Sequence, residues 1–138
     1  RKNLRLLNDK PLIYYAINSV KNVNFDMDMF VSSDDDEILQ VSKYYGSNIL
    51  KRNKKLSQDK TTLDEVICDA FLQIEKNNNI EYSSIITVQP TSPFISTNDL
   101  NEAYKKFNSN KYDSLISASF VQSIFKVWGF IAKIETSN

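Results

Sequence analysis

The sequence contains no histidine, one cysteine, two glycines and three prolines in 138 residues. The missing histidine excludes an imidazole general base, a Ser–His or Cys–His pair and a histidine metal ligand. A lone Cys68 excludes an intrachain disulfide and a zinc–thiolate cluster. Gly46 and Gly129 cannot build a glycine-rich phosphate loop between them. An excess of one charge is also lacking, because Lys plus Arg and Asp plus Glu each number 17. That balance argues against a basic nucleic-acid binder or a membrane-surface protein. No run of about 20 apolar residues is present to span a membrane, and the first residues lack the apolar core of a signal peptide. The expected setting is reducing and cytoplasmic, with no nucleic acid and no membrane as partner.

What is present is ordinary globular composition: 41% hydrophobic, 25% charged and 12% aromatic residues, enough for one core. The periodicity alternates between helix and strand. Pro11 opens a helix over 11–21 whose face is Leu12, Ile13, Ala16, Ile17 and Val20. Residues 28–33 read as a strand. Ser33 is expected to cap the next helix, whose first turn is acidic and which Gly46 stops. Residues 48–52 read as a strand and 53–60 as a loop. Thr62 and Glu65 form a capping box before the stripe Leu63, Val66, Ile67, Ala70, Phe71 and Ile74, which ends at Asn77-Asn78-Asn79. Cys68, on the flank of that stripe, reads as a small buried hydrophobe. Residues 84–89 read as a buried strand, and Pro90 and Pro93 bracket a rigid turn. Thr97 is expected to cap a helix with inner face Leu100, Ala103, Tyr104 and Phe107. Strands follow over 113–120 and 127–134. The order predicts an α/β protein with a mostly parallel sheet. The chain opens on a helix where a βα unit needs a strand before it, so a preceding strand is expected.

Three clusters carry chemistry. Ser32-Ser33-Asp34-Asp35-Asp36-Glu37 follows a strand, at the edge where open α/β sheets bind ligands. Its acids suit Mg²⁺ or simply a helix start, and Asp34 is the acid best placed to face a ligand. Gln89-Pro90-Thr91-Ser92-Pro93 follows the buried strand and offers neutral groups suited to a polyhydroxylated substrate; it also reads as a plain turn. Arg52 ends its strand with paired donors for a phosphate or a base carbonyl. The loop after it carries hydroxyls, Thr61 and Thr62 among them, into a helix N-terminus. Lys126 sits among aromatics in Phe125-Lys126-Val127-Trp128 and either neutralises a substrate anion or snorkels at the surface.

Together these segments resemble the CMP-sialic acid synthetase family, the acylneuraminate cytidylyltransferases. Lys2-Asn3-Leu4-Arg5 with Asn8-Asp9-Lys10-Pro11-Leu12-Ile13 is similar to the family's "KN-x-R … L-x-GKPLI" opening. Val31-Ser32-Ser33-Asp34-Asp35 resembles its "VS(T/S)D". Arg52 through Thr62 is similar to its "R-P … L-S-x-D-x-(T/S)", with Asn53 in place of the proline. Gln89-Pro90-Thr91-Ser92-Pro93 matches its most characteristic motif.

The resemblance implies a three-layer, Rossmann-like α/β/α fold of the nucleotide-diphospho-sugar transferase type. It implies that CTP and a nine-carbon α-keto sugar acid give a CMP-sugar and pyrophosphate, with Mg²⁺ as cofactor and a homodimer as the assembly. Sialic acid is the first expected substrate, with legionaminic and pseudaminic acids close behind. Asn3 and Arg52, with Thr61 or Thr62, are expected at the cytidine moiety. Gln89, with Thr91, Ser92 and Asp34, is expected at the sugar acid. Lys126 is expected near the sugar's carboxylate, although Ser123-Ile124-Phe125 replaces the family context before it. The family's triphosphate loop and late Mg²⁺-binding aspartates are not found in these residues, and Gly129-Phe130 looks like a junction that skips a segment. One partial nucleotide-binding domain, without a complete active site, is therefore expected over 1–138. The rival reading is a non-catalytic flavodoxin-like receiver module, which needs an acceptor aspartate where the central strand ends in Gln89-Pro90. A different nucleotide-sugar enzyme on a related fold would place a metal-binding aspartate at that turn.

Overall fold

The computed structural model describes residues 2–57, 60–109, 112–121 and 124–133, with side chains as far as Ile116. In chain order the elements are β1 (Leu6–Leu7), β2 (Lys10–Pro11), α1 (Leu12–Lys21), β3 (Phe30–Ser33), α2 (Asp36–Tyr44), β4 (Asn48–Lys51), α3 (Leu63–Asn78), β5 (Ser84–Val88), α4 (Thr97–Ser109), β6 (Ser114–Val121) and β7 (Ile124–Lys133). The helix–strand alternation expected from the periodicity is present. The chain divides into two compact units, one formed by Asp28–Tyr82 and the other by Arg1–Met27 with Ser83–Asn138.

The Asp28–Tyr82 unit is built on β3 and β4, which pair in parallel from Phe30↔Asn48 to Ser33↔Lys51. The right partner for a parallel pair is a crossover helix, and α2 supplies it. Leu39 of α2 and Leu50 of β4 are buried. Ser42 is buried too, and its hydroxyl donates to the Ile38 carbonyl at 2.7 Å, which satisfies it within its own helix. Gly46 ends the helix at φ 90°, a conformation that needs no Cβ. The capping residue is Asp35, whose carboxylate accepts the Glu37 N–H. Ser33 is not the cap: its hydroxyl accepts the Asp35 N–H at 3.1 Å and so shapes the turn one step earlier. The expected Thr62–Glu65 capping box opens α3, and Asn79 closes it in the left-handed region at φ 51°. Along α3 the stripe Val66, Ile67, Ala70, Phe71 and Ile74 is only half-buried.

In the other unit, β1 and β2 form a hairpin that the periodicity did not disclose. Its two turn residues, Asn8 and Asp9, both have positive φ, 47° and 61°. A two-residue hairpin turn of this kind matches the right-handed strand twist and favours Asn, Asp and Gly. The Tyr15 hydroxyl donates to the Leu7 carbonyl and ties the hairpin to α1. Helix α1 begins at Leu12, with Pro11 just outside it, and buries Ile13, Ala16 and Ile17. Helix α4 buries Leu100 and Phe107. Three contacts join α4 to α1 and its following loop. The Thr97 hydroxyl donates to the Ser19 carbonyl at 2.8 Å. The Asn24 N–H donates to the Asn101 side chain at 3.0 Å. The Phe25 and Tyr104 rings stack with centroids 3.9 Å apart. Thr97 is the expected cap, but with Thr97 so engaged Ser96 takes that role instead: the Ser96 hydroxyl accepts the Asp99 N–H, and the Asp99 carboxylate accepts the Ser96 N–H.

The strands of this unit lie in the order β5-β7-β6, with β7 antiparallel to both neighbours. Strands β5 and β6 therefore run in the same direction, as a crossover through α4 requires. The opposed strand follows from connection length: β6 ends at Val121 and β7 begins at Ile124, a link that only a hairpin can use. The register shifts between Ser117 and Ala118, which pair with Gly129 and Val127, so Trp128 is the extra residue of a bulge. Strand β7 runs unbroken through Gly129 and Phe130.

The strained position of the hairpin is Asp9, which stands where the family opening carries glycine. Asp9→Gly removes the left-handed penalty and is expected to stabilise the protein by about 0.5 kcal/mol. A thermal melt that shows no rise, or a fall, would contradict the hairpin geometry.

Candidate functional site

The carboxyl ends of β3 and β4 lie side by side because the strands are parallel and in register. Past the last ladder pair, the Arg52 N–H still donates to the Ser33 carbonyl at 2.9 Å. That bond sets Arg52 opposite the turn leading from β3 into α2. One of its terminal nitrogens, Nη2, donates to Asp34 Oδ1 at 3.1 Å, and its Nε donates to the Ser57 hydroxyl at 3.2 Å. The ion pair is partly shielded, the Arg52 and Asp34 side chains being 23% and 36% exposed. Beside it, Lys51 Nζ donates to the Asp34 carbonyl at 2.9 Å and to the Asp36 carboxylate.

Burial alone raises the Asp34 pKa. The Arg52 hydrogen bond, a backbone hydrogen bond, the Ser57 hydrogen bond and the Arg52 charge together outweigh that effect, and the carboxyl is held below its ordinary value. The acids of this turn are thus individually committed. Asp34 faces Arg52, Asp36 faces Lys51, and Asp35 caps α2. Among the described residues no group of three or more acids, cysteines or histidines converges on a point that could hold a metal. The Asp34–Glu37 run therefore does not converge as a Mg²⁺ site made of protein carboxylates alone.

The loop after Arg52 is shaped by Asn53, whose side chain accepts the Lys55 N–H at 3.0 Å while its carbonyl accepts the Leu56 N–H at 2.9 Å. The asparagine supplies by hydrogen bonds the turn that a proline would supply by its ring. The expected loop includes Gln58 and Asp59, which lie outside the described residues. Of the two threonines beyond it, Thr62 has its hydroxyl engaged with Glu65 in the capping box. Thr61 makes only a long 3.5 Å contact to the Lys55 carbonyl. Cys68 is exposed, a correction to its reading as a buried residue. Its position on the flank of a half-covered helix leaves it in solvent.

The Gln89–Pro93 segment leaves the carboxyl end of β5 as two successive turns. The Ser92 N–H donates to the Gln89 carbonyl at 3.0 Å and the Ile95 N–H to the Ser92 carbonyl at 3.3 Å. Pro90 and Pro93 each hold the second position of a turn, where their fixed φ is favoured. Ser92 is buried between the turns, Thr91 is exposed and Gln89 is half-buried. Among the described residues Gln89 makes no side-chain hydrogen bond. Asn3, half-buried, lies in the short 3₁₀ turn Lys2–Leu4 of the same unit. Lys126 pairs with Ser119 in the β6–β7 ladder, and its side chain lies outside the described residues.

The structure brings together Asp34 and Arg52, with Ser57 as a third member. Thr61 and Thr62 follow in the same unit. Asn3, Gln89, Thr91, Ser92 and Lys126 belong to the other. Sequence reasoning missed Ser57 and Lys51 as partners. The signal available was their spacing, a hydroxyl five residues after Arg52 and a second cation immediately before it. The Ser32 hydroxyl on β3 was also missed; it is buried with no hydrogen-bond partner among the described residues.

Comparison with known proteins adds to this geometry. A family model described as cytidylyltransferase matches residues 1–137. A pseudaminic acid cytidylyltransferase of Campylobacter jejuni is 32% identical over 120 residues, which cover 86% of this chain and 51% of that protein. An N-acylneuraminate cytidylyltransferase of Escherichia coli is 29% identical over 119 residues, 86% of this chain and 27% of that protein. Among solved structures, a CMP:2-keto-3-deoxy-manno-octonic acid synthetase complexed with CTP superposes with a TM-score of 0.67 at 12% identity, covering 96% of this chain and 67% of that one. That likeness establishes the α/β nucleotidyltransferase fold. The chain spans about half the length of the first curated relatives it matches.

The lowered Asp34 pKa has a definite sign. A carboxyl more acidic in the folded state stabilises the fold above its unfolded pKa, and that contribution is lost as pH falls through the folded value. At neutral pH, Asp34→Asn is expected to be less stable by no more than about 1 kcal/mol, given the solvent screening of the pair. The difference should shrink as pH drops below about 4. Urea midpoints of parent and variant measured across pH check this; a gap that is constant with pH would contradict the ion pair.

Proposed function

This chain belongs to the cytidylyltransferase family, and we propose that it activates a nonulosonic sugar acid with CTP. The anomeric hydroxyl of the acid attacks the α-phosphate of CTP, the CMP-sugar forms and pyrophosphate leaves. The observation that carries the reading is the family match across residues 1–137. The two-turn segment Gln89–Pro93, held rigid at the end of β5 with Thr91 exposed, supports it. The receiver-module reading is not retained, because nothing in that family match corresponds to it.

The roles proposed for the residues are those the family resemblance implies. Arg52 and Asn3 contact the cytidine moiety. Thr61 is the better placed of the two threonines, since the Thr62 hydroxyl is held in its cap. Gln89 and Thr91 contact the hydroxyls of the sugar acid, and buried Ser92 keeps the two turns in place. Asp34 stands at the ligand edge of β3, and Lys126 neutralises the sugar's carboxylate. Attack on a phosphate that is already activated needs positioning and cationic stabilisation more than an imidazole, which accords with the absence of histidine. Mg²⁺ is proposed to enter as the CTP complex and would supply charge neutralisation on the phosphates; no step is assigned to it, since the acids of the β3–α2 turn do not converge into a site of their own. A cytoplasmic homodimer is the proposed setting. No helix among the described residues is long and apolar enough to cross a membrane.

The finer substrate is proposed to be sialic acid, with pseudaminic acid its main competitor. The test is CTP-dependent pyrophosphate release, with Mg²⁺ present, from a panel of sialic, legionaminic and pseudaminic acids. Release with at least one is expected, and the best substrate names the acid. No release with any would sink the reading. In the same assay Gln89→Ala is expected to raise KM for the sugar acid about tenfold, the loss of roughly one well-made hydrogen bond, while KM for CTP changes little. Equal changes in both would contradict the role of Gln89.

A further inference from the structure

Arg52 is held from two sides. A guanidinium has five N–H donors in one plane. Two of them are used: Nε–H on Ser57 at 3.2 Å and one Nη2–H on Asp34 at 3.1 Å. The remaining three are both Nη1 hydrogens and the second Nη2 hydrogen. Among the described residues they have no partner. The held edge is the Nε/Nη2 side, and the edge without a partner among the described residues is the terminal Nη1/Nη2 fork.

The anchors come from different parts of the chain. Asp34 is the first residue after the β3 strand and Ser57 closes the 3₁₀ turn Lys54–Ser57. Their own surroundings fix them. The Asp34 carbonyl is tied to Lys51. The turn that carries Ser57 is tied by Asn53. An arginine free to rotate loses rotamer entropy when it binds. One that is clamped on one edge has already lost it.

We propose that Ser57 and Asp34 are positioning residues that hold Arg52 with its terminal fork open to a pair of adjacent acceptors on the nucleotide. The inference rests on the CTP reading above and adds to it two residues that act only through Arg52. Two adjacent acceptors occur on CTP in two places: O2 and N3 of the cytosine ring, and the oxygens of a phosphate. UTP shares the phosphates but presents an N3–H donor instead of the N3 acceptor, so it separates the two sources.

The experiment is calorimetric titration of CTP and UTP into the parent protein and into Ser57→Ala, Ser57→Thr, Asp34→Asn and Arg52→Ala. Ser57→Ala and Asp34→Asn are each expected to weaken CTP binding about three- to tenfold, the range of one lost hydrogen bond. Ser57→Thr, which keeps the hydroxyl, should restore most of it. In an Arg52→Ala background neither change should weaken binding further, since their effect runs through that side chain. A loss for CTP alone assigns the fork to the base, and an equal loss for UTP assigns it to the phosphates; either supports the positioning role. CTP binding by Ser57→Ala and Asp34→Asn equal to the parent, with Arg52→Ala weakened, would overturn the inference and leave the proposed function standing. Coupled losses in CTP binding without pyrophosphate release from any sugar acid would overturn the proposed function and leave the inference standing. Ser57 is exposed, so its removal tests the role without threatening the core.

Discussion

The parallel register of β3 and β4 is the constraint from which the Asp28–Tyr82 unit is organised. Four ladder pairs bring the two strand ends level, and the Arg52 N–H adds one more bond to the Ser33 carbonyl beyond them. At that point the chain leaves β3 for a helix and leaves β4 for a loop. The Asp34–Arg52 and Lys51–Asp36 pairs bridge the two exits. As surface pairs they contribute little to global stability. Their effect is geometric: they fix which way the turn and the loop face. A slip of one residue in the register would turn Arg52 to the other face of the sheet and undo both contacts.

The same logic explains why an acidic run that resembles a metal site is not one. Four consecutive acids at a strand end suggest a hard-cation site by composition. In the structure each described contact draws an acid to a different partner: a guanidinium, an ammonium or a helix N–H. A metal site built from these acids alone would need several of their carboxylate oxygens converging on one point. Neighbours in sequence at a helix start diverge instead, because each residue turns about 100° from the last.

Turn chemistry is where this chain departs from the family pattern, and each departure has a local substitute. Asp9 stands in a left-handed position that glycine fills without strain, and its short polar side chain tolerates it. Asn53 replaces a proline and rebuilds the turn through two hydrogen bonds. The Gln89–Pro93 segment keeps both prolines, and both sit where their ring geometry is already correct. Backbone shape is thus preserved while the residue that enforces it changes, and motif spelling alone undercounts the likeness.

The order of helices and strands was legible because period and capping are local: the Thr62–Glu65 box, the Gly46 and Asn79 stops and the Ile13–Ala16–Ile17 face all depend on residues within a few positions. The ligand-edge motifs were legible for the same reason, as short runs that follow strands. Cap identity was less so. Ser33 and Ser96 stood beside equally competent Asp35 and Thr97, and only packing chose among them, Thr97 being claimed by the Ser19 carbonyl. The exposure of Cys68 depended on how much of α3 is covered. The insertion of β7 antiparallel between β5 and β6 needed the strand ends to within a residue or two, which periodicity does not supply. By itself, then, the sequence determined the α/β class, the alternation of helices and strands from α1 onward, the family and the candidate residues, all properties of short segments. Only the tertiary structure decided that Asp34 and Ser57 grip one edge of Arg52, that the acids part company and that β7 runs against its neighbours. Those outcomes join residues distant in the chain, and their distances exist only once the strands have paired.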